Sequence, residues 1–283
     1  MKELLTRATT GAIFVAVLIG AIVWNKYSVA GLFFVISILG LLEFFKLMEK
    51  GGFKPKKSIS SVVAGLIYGI IVYFSFGYGN FSYLLFIFPL LVLLVVIELF
   101  RKSETPVSNF AFSVMGVMYV VIPFSILNFF AYGSPYDEVL EINDRYDYIF
   151  LLGFFVIQWA SDTGAYLTGS AFGKTKLFER ISPNKTWEGV IGGLILAILT
   201  GYLISFFTNS SHIHWMNIAL LIVVFGTLGD LTESQIKRSC GVKDSGNILP
   251  GHGGILDRFD GVLFSAPFVL AYLHFFDLFN IQI

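Results

Sequence analysis

The chain has 283 residues, 56% of them hydrophobic and 13% charged, with zero formal net charge and a mean hydropathy of +0.78. Soluble domains carry about 25% charged and about 45–50% apolar residues, so a water-soluble fold could not hide this much apolar surface. Zero net charge argues against a nucleic-acid partner, and the single cysteine, Cys240, excludes an intrachain disulfide and a cysteine-based zinc site.

Nine apolar runs follow one another: residues 8–25, 29–47, 59–76, 81–100, 109–131, 148–170, 187–207, 213–233 and 262–279. Each is near the roughly 20 residues that carry a helix across a ~30 Å hydrocarbon core. Helices satisfy their own backbone groups in lipid, and none of the runs alternates as a barrel strand would. The first run, Thr10 to Trp24, lacks a small-residue cleavage site and leads straight into further spans, so it is expected to stay as a span. The expected fold is all-α: a polytopic transmembrane helix bundle of about nine spans with a cytoplasm-facing polar cavity. Residues 1–147 are read as scaffold helices, about five spans, and residues 148–283 as the helices that carry the catalytic loops.

An odd number of spans puts the termini on opposite sides, and the basic residues orient them. All 19 Lys and Arg except Lys26 and Arg145 fall on the side of the N-terminus, whereas the loop from Tyr132 to Asp147 on the other side is acidic. The N-terminus and the loops after the sixth and eighth runs are therefore expected to face the cytosol. The chain is expected to be multi-pass in the cytoplasmic (inner) membrane. Some of these lysines could serve topology alone.

Those two loops carry the candidate chemistry. Ahead of the first lies Asp162, in Gln158-Trp-Ala-Ser-Asp-Thr-Gly-Ala-Tyr166. A carboxylate within a span is costly and faces a cavity, a cation or a partner, and its small neighbours let a helix or ligand come close. Phe172-Gly-Lys174 and Ser182-Pro-Asn-Lys-Thr-Trp-Glu-Gly189 follow. Ser182 or Asn184 is expected to cap the next helix, with Glu188 helping its N-terminus. Lys185 beside that helix start makes it a ready phosphate site.

The second region is denser. Asp230, Glu233, Ser234 and Lys237 fall at helical spacing on one face. The plain reading is a Glu233–Lys237 salt bridge on a solvated face, which leaves Asp230, at the end of an apolar run, unexplained. Carboxylates without a cysteine or histidine cluster suit a hard cation such as Mg²⁺. Asp257 and Asp260 are the natural companions of Asp230. Gly251 to Gly254 would let backbone approach a ligand, and Lys237, Arg238, Lys243 and Arg258 would meet phosphates. Together these form a kit for phosphoryl or nucleotidyl transfer, with neither a Walker motif nor GxGxxG in the chain.

The run Ser234-Gln-Ile-Lys-Arg238, Lys243-Asp-Ser-Gly246 and Leu249-Pro-Gly-His-Gly-Gly-Ile-Leu-Asp-Arg-Phe-Asp260 resembles the phosphatidate cytidylyltransferase (CDP-diacylglycerol synthase) family, as do Asp162-Thr-Gly-Ala-Tyr166 and Ser182 to Gly189. The resemblance covers the C-terminal half. It implies a Mg²⁺-dependent reaction of CTP with phosphatidic acid, giving CDP-diacylglycerol and pyrophosphate; a second cation and a homodimer are left open. Asp230, Asp257, Asp260 and Lys237 are the candidates for the chemistry, with Asp230, Asp257 and Asp162 as metal ligands. Substrate contacts are expected at Lys174, Ser182, Asn184, Lys185, Thr186, Ser234, Arg238, Lys243, His252, Gly253, Gly254 and Arg258. An ion-coupled transporter is the rival reading, but it would place its charges near the midplane rather than at one membrane face.

Overall fold

The computed structural model describes residues 2–131, 146–248, 251 and 253–278, the first six and last three of them as backbone only. Helix α1 (Lys2–Trp24) is followed by α2 (Lys26–Lys50) and α3 (Lys57–Ser75). A 3₁₀ turn, Phe81–Phe86, leads into α4 (Ile87–Leu99). Next come α5 (Pro106–Gly116), a π turn Val117–Val121, α6 (Ile122–Ile126) and a 3₁₀ turn Phe129–Ala131. Then follow α7 (Tyr148–Phe172), strands β1 (Lys176–Phe178) and β2 (Ser182–Thr186), α8 (Trp187–Thr208), α9 (His212–Ser239) and α10 (Leu256–Leu278).

Each expected apolar run is helical over most of its described residues; Asn25, Phe76, Phe100 and the turn at Leu127 and Asn128 fall outside the helices. Among the described residues, six helical stretches are long and apolar enough to cross a membrane: residues 26–50, 57–75, 81–99, 106–131, 187–208 and 212–239. Helix α1 adds a shorter apolar stretch, Ala8–Trp24. Helices α7 and α10 are 25 and 23 residues long and carry polar side chains, Gln158, Ser161 and Asp162 in one and Asp257, Arg258 and Asp260 in the other. The fold is all-α, as expected, apart from one short hairpin in which β1 and β2 pair antiparallel, with Lys176 opposite Thr186 and Phe178 opposite Ser182. One expectation needs correction. Helix α9 runs on to Ser239, past the expected end at residue 233, so Asp230 lies within a helix rather than at its end. The apolar pattern stops at residue 233, but the hydrogen-bonded helix does not need it to continue.

The chain forms two compact units. The first comprises residues 1–146 and 239–258, the second residues 147–238 and 259–283. In the first unit, Asn25 ends one helical run and starts the next with a capping box, its side chain accepting from Tyr27 N and Ser28 N at 2.9 Å each. Phe33, Phe44, Phe45, Phe124 and Phe130 are fully buried. Gly116 lets the α5 backbone come down on this layer, since a Cβ there would lie 2.8 Å from Leu41 and 2.9 Å from Phe45. The buried Glu98 accepts from Asn109 Nδ2 at 3.1 Å, while Asn109 Oδ1 accepts from Lys54 N at 2.8 Å. This polar knot ties α4 and α5 to the loop after α2.

In the second unit, glycines bring α7 and α8 into backbone contact. A Cβ on Gly164 would lie 2.8 Å from the Gly192 carbonyl, and one on Gly193 2.8 Å from the Ser161 carbonyl. Small residues at such crossings replace the hydrophobic drive that lipid cannot supply. Gly201 plays the same part towards α9, where a Cβ would meet the Trp215 carbonyl at 2.7 Å. Asn209 ends α8 in the left-handed region, with φ of 49°.

Candidate functional site

The second unit gathers most of the expected residues. The helix start at α8 is capped by Thr186, whose Oγ1 accepts from Gly189 N at 3.2 Å. The expected caps, Ser182 and Asn184, instead lie within β2, Ser182 half-buried and Asn184 exposed. Chain direction explains the change: residues 182–186 are extended, and only Thr186 stands immediately before the first helical residue. The carboxylate of Glu188 is turned to the preceding loop, where it accepts from Lys174 N at 3.2 Å and Thr175 N at 3.1 Å. The hairpin is thereby pinned to the foot of α8, and the Lys174 side chain stays exposed.

Lys185, in β2, forms an ion pair with Asp230 of α9. On α9, Ser234 Oγ donates to Asp230 Oδ1 at 3.3 Å, and Lys237 Nζ pairs with Glu233 at 2.5 Å. The four α9 residues therefore share one face, as their spacing implied. The face is not solvated, however: Glu233 is 1% exposed and Lys237 9%. Arg238, next along, is exposed. Asp260 belongs to the same neighbourhood, because Gly229 has no room for a Cβ against the Asp260 carbonyl. Asp230, Glu233 and Lys185 all lie close enough to act electrostatically on the Asp260 carboxyl.

Asp162, on α7, is exposed and accepts from Gln158 Nε2 at 3.1 Å. Gln158 is held by two glycines: a Cβ on Gly261 would lie 2.9 Å from its Nε2, and one on Gly226 3.3 Å from its Oε1. The orienting role of Gln158 escaped the sequence reading. Its signal was a buried amide one helical turn before a carboxylate.

The first unit holds the remaining expected residues. Asp257 Oδ2 accepts from Gly254 N at 2.8 Å, Ser245 Oγ at 2.8 Å and Ser245 N at 3.1 Å. Gly253 has φ of 85°, and a Cβ there would lie 2.8 Å from Asp257 Oδ2, so both backbone shape and space demand glycine. Lys243 and Arg258 are exposed, and Gly254 is buried. His252 lies outside the described residues, as does Pro250. Glu43 of α2 also reaches this loop, accepting from Ser245 Oγ and from Ile255 N at 2.9 Å. The sequence reading missed it, since it lies about 200 positions from the loop.

Among the described residues, no three His, Cys, Asp or Glu side chains come together as a ready cation cage. Mg²⁺ typically takes one or two protein carboxylates and fills its shell with water and substrate phosphates. Asp230, with Asp260 beside it, offers that partial donor set. Its present partner, Lys185, is itself a cation.

Comparison with known proteins identifies the family. The profile of the Cytidylyltransferase family matches residues 5–276. Proteins named phosphatidate cytidylyltransferase are similar: that of Haemophilus influenzae is 46% identical over 143 residues, 48% of this chain and 49% of that protein. The Bacillus subtilis protein is 45% identical over 148 residues, covering 51% and 55% of the two chains. The Staphylococcus haemolyticus protein is 45% identical over 168 residues, covering 59% and 60%. The chain thus spans about half to three fifths of the length of the curated relatives it matches.

Proposed function

The chain belongs to the cytidylyltransferase family, and on that premise we propose that it is a multi-pass membrane enzyme joining CTP to phosphatidic acid. The products are CDP-diacylglycerol and pyrophosphate. The observation that carries this reading is the Lys185–Asp230 pair, at the start of α8, beside Asp260, Glu233 and Lys237. It sets alternating cations and carboxylates at one end of a group of apolar helices, which is what a charged nucleotide and a lipid headgroup both require.

In the reaction, a phosphate oxygen of phosphatidic acid attacks the α-phosphorus of CTP in line. The new P–O bond forms as the bond from that phosphorus to the bridging oxygen of the β-phosphate breaks, and pyrophosphate leaves. The attacking oxygen is already largely ionised near neutral pH, so the protein needs no strong base. Its work is to position two anions against each other and to neutralise them. Lys185 meets the triphosphate, and Lys237 and Arg238 reinforce the positive field. Asp230 and Asp260 would hold Mg²⁺, which when bound supplies positive charge against the phosphates. Asp162, Asp257 and Lys243 are kept as proposals on sequence grounds.

The remaining features of the proposal follow from the charge pattern. A nine-span topology with the N-terminus and both motif loops in the cytosol accounts for the one-sided placement of Lys and Arg. It places a polar cavity at the cytoplasmic face, open to nucleotide from water and to lipid from the bilayer. The test is direct: protein purified in detergent is given CTP and phosphatidic acid, with and without Mg²⁺. Formation of CDP-diacylglycerol and pyrophosphate is expected only with Mg²⁺; absence of a CDP-lipid product overturns the proposal.

A further inference from the structure

We propose that Glu43, on α2, is a positioning residue for the glycine-rich loop that carries Asp257; the functional half of this inference rests on the reading that this loop takes part in cytidylyl transfer. Glu43 is 2% exposed, and its neighbours Leu41, Phe44, Phe45 and Leu47 are buried apolar side chains. A carboxylate in such surroundings needs donors of its own. All the donors found come from the loop: Ser245 Oγ, Ile255 N at 2.9 Å and Leu256 N at 3.2 Å.

These donors explain the arrangement. Leu256 begins α10, so the Ile255 and Leu256 amides stand where a helix has no carbonyls of its own to bond them. Ile255 has no polar side chain with which to cap the helix. Glu43 supplies the oxygen and the negative charge that a Ser or Asp cap would bring. The Ser245 hydroxyl links this cap to the candidate site, because Asp257 Oδ2 lies 2.8 Å from the same oxygen. That hydroxyl has one hydrogen and two carboxylate acceptors, so displacing Glu43 changes what Asp257 receives.

The glycines admit this carboxylate. A Cβ on Gly246 would lie 2.8 Å from Glu43 Cδ, and one on Gly254 would overlap Glu43 Oε1. The space at Gly254, which reads in the sequence as room for a ligand, is therefore already filled by Glu43, as is the space at Gly246. No comparable explanation accounts for a buried acid at this point of an apolar helix.

The test uses Glu43→Gln, which keeps the shape but sets an NH₂ donor against three donors. Hydrogen exchange is measured by mass spectrometry on the full-length detergent-solubilised protein, with kinetics alongside. Peptides spanning residues 244–258 are expected to exchange at least about tenfold faster, with α3 and α8 unchanged. The variant is also expected to lower kcat and to raise the Mg²⁺ concentration for half-activation, leaving KM for phosphatidic acid in place. Ser245→Ala, which removes one donor only, is expected to do the same more weakly and provides the measurement if Glu43→Gln fails to fold. Unchanged exchange across residues 244–258 in the folded variant overturns the positioning role. Faster exchange with parental kcat and Mg²⁺ response reduces Glu43 to a structural cap and overturns the functional half. A parent protein that makes no CDP-diacylglycerol would instead sink the proposed function, and the exchange result would still decide whether Glu43 holds the loop.

Discussion

Lys185 and Asp230 neutralise each other in the second unit, a lysine from β2 against an aspartate from within α9. Both carry expected roles in the proposed reaction, one towards a nucleotide phosphate and one towards a metal. In that proposed reaction the pair would be a resting arrangement, in which an incoming Mg²⁺–phosphate unit would offer each side chain a partner of the sign it already has. Their side chains are 25% and 35% exposed, so the pair itself contributes at most about 1 kcal/mol to stability. Lys185→Met is accordingly expected to leave the thermal midpoint nearly unchanged while raising KM for CTP by about tenfold or more, the loss of one charge-assisted contact. Parental kinetic constants for CTP would reassign Lys185 to topology.

Asp230→Asn is expected to reduce turnover by at least about 100-fold, the scale of losing one preorganised electrostatic group. The protein should still extract as a monodisperse species. Asp257→Asn tests the sequence-based metal assignment in the same assay. Near-parental activity of Asp230→Asn with unchanged Mg²⁺ dependence would shift the metal assignment to Asp162 and Asp260.

Glu233 is expected to behave differently. Its partner Lys237 is buried with it, at 11% and 2% side-chain exposure for lysine and glutamate. Breaking a buried pair strands the other charge and costs roughly 3–5 kcal/mol. Glu233→Gln should therefore lower the thermal midpoint more than Asp230→Asn does. A solvated salt bridge, as the sequence implied, would leave the two midpoints about equal in a thermal-shift measurement.

Topology has its own check. Single cysteines at Lys176 and Ser134, in a Cys240→Ser background, are expected to react with an impermeant reagent from opposite sides of the membrane. Labelling from the same side would refute an odd number of crossings between them.

The apolar runs made the helical elements legible because a span must be long and apolar by itself, with no help from distant residues. The motif residues were legible for a related reason: Asp230, Ser234 and Lys237 are tied by helical spacing alone. What stayed hidden depended on three-dimensional context. The short strands of 176–186 read as a loop because three to five residues hold too little pattern to mark a strand. Burial of Glu233 and Lys237 was invisible because charge in a sequence looks the same whether wet or dry. Thr186 was passed over as a cap in favour of Ser182 and Asn184 because the exact helix start decides which hydroxyl is in reach. Glu43 lies inside an apolar run, which marks it as an acid in need of a partner, but nothing local shows that the partner is a loop about 200 positions away.

The reach from Glu43 to Ser245 spans 202 positions, and this has a consequence for how the chain is made. At about 5–20 residues per second, α2 leaves the ribosome tens of seconds before the loop that supplies donors to its buried carboxylate. During that interval the acid lies in an apolar helix without these three hydrogen bonds, which favours a water-lined intermediate over full burial. The final seating of α2 is therefore a late event, completed only when residues 239–258 return to the unit that the first 146 residues began.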